Sequence, residues 1–235
     1  MKVSDISAKI MARLLSDQGT SDYWNITDIE LDLNWLYQDT ARTFKCCKTR
    51  NASINSAINI ARYVIPKNAN ATSILSVSKV EYDNEEVSFY PLSVIEEMDY
   101  RWRSLGSGKP WACTFEDGDE DIAITFIPKL PEIKSLAFSY SYMPIELTSA
   151  DTPVAPFDDG LILFDGLMSM QLAKAGGGRD LDRADWWLGQ FVSKCSSFSQ
   201  HKGFGVRSIK SIDSPSGKSI GQVRLPSNYP TYHFN

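Results

Sequence analysis

Apolar residues recur with a helical period through the first part of the chain. Val3, Ile6, Ile10 and Leu14 form a stripe over about Ser4–Asp17, with Ser4 as cap. A second stripe, Ile29, Leu33, Leu36, Thr40 and Phe44, extends to about Cys46. The Thr27-Asp28-Ile29-Glu30 run before it has the form of a capping box. From about Asn51 the period drops to two. It predicts strands at Ala57–Ile65, Ser73–Tyr82, Val87–Tyr90, Trp111–Phe115, Ile122–Ile127 and Ser135–Met143, with a short helix over Ser93–Tyr100 that Ser93 and Glu96 would cap. In the last strand Leu136, Phe138, Tyr140 and Tyr142 alternate with Ser135, Ala137, Ser139 and Ser141, which reads as a hairpin arm bounded by Pro128 and Pro144.

A polar connector, TSADTPVAP at 148–156, returns the chain to helical period. Leu161, Phe164, Leu167, Met168 and Leu172 make one stripe, interrupted by AGGG at 175–178. A final helix from Asp180 or Asp182 would turn Ala184, Trp187, Leu188, Phe191, Cys195 and Phe198 inward. No period survives after Gly203. The expected fold is therefore α+β: a helical bundle built discontinuously from 1–48 and 157–202, an inserted antiparallel β domain with connector at 49–156, and an extended C-terminal tail at 203–235.

Composition narrows the class. With 235 residues and 43% hydrophobic content there is enough material for a packed core, and no apolar run is long enough for a membrane span. The amphipathic N-terminus lacks the apolar stretch of a signal peptide, and four cysteines without a C-x-x-C read as free thiols. Net charge is −5, unevenly spread. Residues 203–235 carry Arg207, Lys210, Lys218 and Arg224 against Asp213, a net of +3, which leaves −8 on the rest. Such a body does not suit tight binding of nucleic acid, whereas its tail suits an acidic acceptor surface.

Candidate chemistry is sparse. GSGKP (106–110) and SGKS (216–219) lack the first glycine of a phosphate loop and its strand–loop–helix setting. Asp117, Asp119 and Asp121 are spaced like the start of a calcium loop, but Ile122 and Pro128 occupy the places of its glycine and its last acid. A hairpin turn between the flanking strands accounts for them better. The only histidines are His201 and His233, and the acid pairs Glu96/Glu97 and Asp158/Asp159 sit at helix starts, where they complement the dipole. These features predict no catalytic residue, no metal site and no cofactor. Aromatic residues say more. Trp186 and Trp187 are adjacent on a helix and cannot share one core, so Trp186 is a candidate subunit interface. Tyr229, Tyr232 and Phe234 close the basic tail and suit an anchor on another subunit.

Four stretches carry a resemblance: YWNITDIELDLNWLYQDTAR, ARYVIPKNANATSILSVSKVEYDN, DIAITFIPKLPEIKSLAFSYSYMPIEL and DTPVAPFDDGLILFDGLMSMQLAKAGG. In this order they resemble the head-to-tail adaptor (connector) proteins of tailed bacteriophages, of the tail tubular A type. The resemblance implies a non-enzymatic virion protein assembled in the host cytoplasm. It implies a homo-oligomeric ring, dodecameric, at the neck between head and tail. The portal protein would lie on one side and a tail nozzle or other tail protein on the other, and viral DNA would pass through without sequence-specific binding. The tail could dock on the portal or on a neighbouring subunit. A monomeric carbohydrate- or ligand-binding β module flanked by helices is the alternative, and a hydrolase using acid pairs is a weaker third.

Overall fold

A computed structural model of the chain describes residues 1–18, 24–117, 122–174 and 179–200. The protein is α+β. The helices are α1 (Val3–Gln18), α2 (Ile26–Phe44), α3 (Leu92–Met98), α4 (Leu161–Ala173) and α5 (Leu181–Gln200). Between α2 and α4 run the strands β1 (Lys48–Asn55), β2 (Arg62–Val64), β3 (Ala71–Tyr82), β4 (Glu85–Glu86), β5 (Ser88–Phe89), β6 (Ala112–Asp117), β7 (Ile122–Ile127) and β8 (Ser135–Pro144). Among the described residues no helix is long and apolar enough to cross a membrane.

The helix starts differ from the sequence expectation for a tertiary reason. Asn25 caps α2, its side-chain oxygen accepting from the Thr27 amide at 3.0 Å, so Thr27 already lies in the first turn. Glu30 then turns outward from its own helix. Its carboxylate accepts from the Ser7 hydroxyl of α1 at 3.3 Å and from the Ser149 hydroxyl of the connector at 2.7 Å. The Ser93–Glu96 box is also unmade: Pro91 precedes α3 without a side-chain cap, and Glu96 pairs with Arg103 at 3.6 Å. Lys45, in the left-handed region at φ 48°, stops α2 before Cys46.

The strands form two four-stranded sheets, in the orders β1-β8-β3-β4 and β2-β7-β6-β5. Asp83 and Asn84, with φ of 52° and 64°, make the tight turn that joins β3 to β4. The chain crosses to the second sheet at β5, which pairs in parallel with β6. The β6–β7 hairpin expected around the acidic turn is present. The segment 124–147, in contrast, is not a hairpin arm. β7 belongs to one sheet, and β8 is an interior strand of the other, flanked by β1 and β3. Its alternation holds: Leu136, Phe138, Tyr140 and Tyr142 are buried in the core, and Ser139 and Ser141 are covered on the opposite face by the flanking strands. Of the strand expected at Ala57–Ile65 only Arg62–Val64, β2, forms, and β1 lies before that span. Residues 57–61 form a loop pinned by the Tyr63 hydroxyl, which accepts from the Ala57 amide at 2.9 Å and donates to the Ala57 carbonyl at 3.0 Å.

One hydrophobic core runs from α1, α2, α4 and α5 into both sheets. A smaller cluster of Ile95, Trp102, Ala112 and Ile127 fills the far side of the second sheet under α3. α2 packs on α1, α4, α5 and β8. The connector is docked rather than loose. Asn34 of α2 donates to the Leu147 carbonyl and accepts from the Leu147 amide, both at 2.8 Å, and the Val154 amide donates to the Tyr37 hydroxyl at 3.2 Å. α4 is buried on almost every side, so its apolar stripe is a full cylinder, and Leu161 from the expected stripe is exposed instead. Its buried Asp165 pairs with Lys194 of α5. On α5, Ala184, Phe191 and Cys195 face inward as expected and Trp187 and Leu188 are half-buried, while the Phe198 side chain lies outside the described residues.

Candidate interaction surface

α2, α4 and α5 enclose a groove of about 260 Å³. Buried Leu36, Gly166 and Phe191 form its floor, and Trp35, Leu181 and Leu188 stand along its walls. Gly166 sets how closely the helices approach: an added Cβ would lie 2.6 Å from Leu36 Cδ2 and 3.0 Å from Phe191 Cδ2. A polar strap fixes one rim. The Asp32 carboxylate of α2 accepts from Gln171 Nε2 at 2.7 Å and from Lys174 Nζ at 2.6 Å, both on the α4 side. Asp185 stands on the opposite rim, exposed.

Around this groove the surface stays apolar. Trp35 is 49% exposed and Leu31, one turn earlier on α2, is 64% exposed; Leu181 is exposed as well. These residues were not among the sequence candidates. The signal was present: Leu31 and Trp35 are four apart and off the Ile29–Leu33–Leu36 stripe, so α2 carries a second apolar stripe that its own core cannot cover.

Trp186 is 58% exposed, as the adjacent-tryptophan argument required for one of the pair. Trp187 packs inward, edge-on to Phe164 of α4 with ring centroids 5.7 Å apart, and Trp186 lies edge-on to Trp187 at 4.7 Å. The helical spacing places Trp186 on the side of α5 away from Leu181, Asp185 and Leu188, so it does not join the groove. The other site candidates, Arg207, Lys210, Lys218, Arg224, Tyr229, Tyr232 and Phe234, lie outside the described residues, as do SGKS, Asp119 and Asp121.

Two further apolar surfaces occur on the second sheet. Along its β2 edge Ile58 is 55% exposed, and Ile60 and Val64 are also exposed, with Arg62 between the last two. Within β2, alternation with inward Tyr63 puts Arg62 and Val64 on one face, and Ile60 is exposed in the loop before it. Near the β5 edge Phe89 and Phe115 stack with centroids 4.5 Å apart and planes 16° from parallel, and Trp111, four residues before Phe115, is exposed.

The thiols are placed for packing. Burial pushes Cys113 and Cys195 up to about 12, and the Cys46 thiol together with burial raises Cys47. Protonated, enclosed sulfur is a poor nucleophile. The GSGKP segment leads into β6, and the Gly108 amide donates to the Lys129 carbonyl at 2.9 Å, so its backbone is engaged with the sheet rather than arranged at a helix start. Among the described residues no three His, Cys, Asp or Glu side chains are grouped to hold a metal ion. The arrangement is suited to apolar contact between macromolecules. No protein-family model matches the chain, and no curated protein matches it.

Proposed function

We propose that this chain is a structural virion protein, the head-to-tail adaptor that joins the portal to the tail. In this reading α1, α2, α4 and α5 act as one bundle, and copies assemble into a dodecameric ring at the neck, below the portal and above the tail nozzle. Viral DNA passes through the ring without sequence-specific contacts. No catalysis is assigned to it. The observation that carries the reading is the groove between α2, α4 and α5 with Leu31, Trp35 and Leu181 exposed around it. A contiguous apolar surface of this kind marks a site that another macromolecule covers. Trp186 adds a further exposed aromatic on α5. The basic segment 203–235 ends in Tyr229, Tyr232 and Phe234, and at about 3.3 Å per residue it can reach roughly 100 Å, enough to cross a neighbouring subunit and anchor there or on the portal.

Electron microscopy of the full chain mixed with its portal protein tests the reading. A ring coaxial with the portal supports it, and a monomer that never associates with portal refutes it. Truncation after Lys202 tests the tail. The shortened chain should keep its thermal stability and lose portal binding; unfolding, or unchanged portal affinity, removes the anchor role.

The Phe89–Phe115 stack with exposed Trp111 favours a second reading, a monomeric β module that binds carbohydrate on an aromatic ledge. Glycan-array binding by a monomer, lost in Trp111→Ala, would establish it and displace the adaptor.

A further inference from the structure

We infer that in the unassembled chain the aromatic segment 229–234, with Tyr229, Tyr232 and Phe234, folds back into the α2/α4/α5 groove of its own subunit. The inference takes the groove as the contact surface of the reading above and says what covers it before a partner arrives.

The length and origin of the tail select this occupant. α5 lines the groove with Leu181, Leu188 and Phe191 and runs on to Gln200, so the tail departs from a groove-lining helix. At 1.5 Å per residue Gln200 lies about 14 Å beyond Phe191 and about 28 Å beyond Leu181. The 28 residues 201–228 then precede Tyr229 and include four Gly and six Ser. A chain of that composition averages about 5–6 Å × √n end to end, or about 30 Å at this length. The tether therefore matches the distance back to the groove beside its own origin. A matched tether presents its end at a millimolar effective concentration, about a thousandfold above the groove of another copy at micromolar protein.

Size and chemistry agree with it. At about 260 Å³ the groove is smaller than the pockets that take whole drug-sized ligands, and its floor of Leu36 and Phe191 under Trp35 and Leu181 suits one or two rings. Held extended, the segment would turn Tyr232 and Phe234 to one side, so both can enter together. The Asp32 strap and the close packing at Gly166 hold the groove in shape beforehand, so the cost of closure falls on the tail alone.

The charges are opposite. α2, α4, α5 and residues 174–180 between the last two carry eight acids against five cations, a net of −3. Three of those cations are engaged: Lys174 with Asp32, Arg183 with Asp180 and Lys194 with Asp165. Asp185 on the lining and Asp28, one turn before Asp32, are exposed. The tail has no acid after Asp213, and Lys218 and Arg224 lead into Tyr229. The cations steer the segment to the rim and the rings supply the affinity. In a ring the same segment can pass to the groove of the next copy, an exchange that needs no new kind of contact.

The test uses dilute full-length chain without portal, in a Cys46→Ser background that removes the half-exposed native thiol. Thr231→Cys is combined in one chain with Leu31→Cys, beside the groove. In another it is combined with Gln190→Cys, an exposed α5 position on the side away from the groove and close to Gln200. A short bis-maleimide should join position 231 to 31 within one chain about fivefold or more faster than to 190, although chance collision favours the site nearer the tether. Equal rates, or a faster reaction at 190, overturn the inference. A link from 231 to 31 found only between two chains also overturns it and gives the groove to a neighbour's tail.

Leu181→Cys gives a second readout that needs no cross-linker. A monofunctional maleimide should modify it about threefold or more slowly than in a chain that also carries Tyr229→Ser, Tyr232→Ser and Phe234→Ser. Synthetic peptide 226–235 added to that serine chain should slow it again, and rates unchanged by either overturn the clasp. The clasp is a surface contact closed only severalfold, so the fold does not depend on it. The adaptor reading fails separately: a clasped subunit that never joins the portal refutes that reading and leaves the clasp standing, and a portal-bound ring whose free subunit shows no clasp does the reverse.

Discussion

Two glycines in helices give opposite expected responses to alanine, and the difference isolates the helix packing that shapes the groove. At an unhindered helical site, alanine stabilises by about 1 kcal/mol relative to glycine, because glycine loses more backbone freedom on folding. Gly189, on the exposed side of α5, has nothing within 4 Å of an added Cβ, so Gly189→Ala should gain about that amount. At Gly166 the same backbone gain meets a collision. The new methyl would sit 2.6 Å from Leu36 Cδ2 and 3.0 and 3.1 Å from two Phe191 ring carbons, in a region where both side chains are buried. Overpacking of this kind costs about 1–3 kcal/mol, which exceeds the gain for most of its range. Gly166→Ala is therefore expected to lose about 1 kcal/mol, a gap of about 2 kcal/mol between the variants, or roughly 4–8 °C in melting temperature for a chain of this size.

Urea unfolding at one dilute protein concentration keeps assembly from contributing to the comparison. If Gly166→Ala stabilises as much as Gly189→Ala, the close approach of α4 to α2 and α5 is wrong. A second readout follows from where the methyl goes. Relief of the clash moves Leu36 or Phe191, both of which line the groove, so either response alters the cavity. Self-association should weaken in Gly166→Ala and not in Gly189→Ala.

Three other outcomes are expected. In the native chain at pH 8 a thiol reagent should modify Cys46 rapidly and leave Cys47, Cys113 and Cys195 untouched, since Cys46 is half-exposed and the others are buried; four fast thiols would refute the core placement. Stability should fall at alkaline pH. Burial raises Cys113, Cys195 and the phenols of Tyr37 and Tyr142, so the folded state keeps protons that the unfolded chain releases above about pH 8.5 for thiols and about 10 for phenols. The stabilisation is complete below that range and is lost towards pH 12, by up to about 1.4 kcal/mol per pH unit per group; urea midpoints that stay flat from pH 8 to 11 would contradict this. Asn34→Leu should cost about 2 kcal/mol by thermal or urea melt, because it leaves the Leu147 amide and carbonyl unpaired where the connector meets α2; a neutral change would show that water replaces the clamp.

The long elements were legible because their periods are local. The stripes of α1 and α2, the apolar run of β7 and the alternation of β8 need only neighbouring residues to be recognised. What the sequence concealed depends on distant partners. Thr27-x-x-Glu30 and Ser93-x-x-Glu96 have the spacing of capping boxes, yet Glu30 bonds Ser7 and Ser149 and Glu96 meets Arg103, contacts set by the packing of separate elements. β1 offers only Ala52 and Ile54 to the core, too few apolar positions to declare a strand before its pairing with β8 is known. The division into two sheets was equally hidden, since β7 and β8 are close in sequence and neither residue pattern says which neighbours it takes. In the candidate surface, Trp186 was legible from adjacency alone. Leu31 and Trp35 were readable as a second stripe, but Leu181 and the β2 edge gain meaning only when burial shows which apolar residues the core has left outside.

The charge distribution bears on how a ring and a tail could work together. A body of −8 repels its own copies, so assembly requires local patches that reverse this at the contact. The tail, at +3, is one such patch. Ordering it on an acceptor costs about 1 kcal/mol or more per residue fixed, which its three aromatic side chains must offset by burial. At about 0.15 M salt charges interact over about 8 Å, so an attachment that relies on the basic tail should weaken as salt rises, whereas one made by apolar burial at the groove should persist.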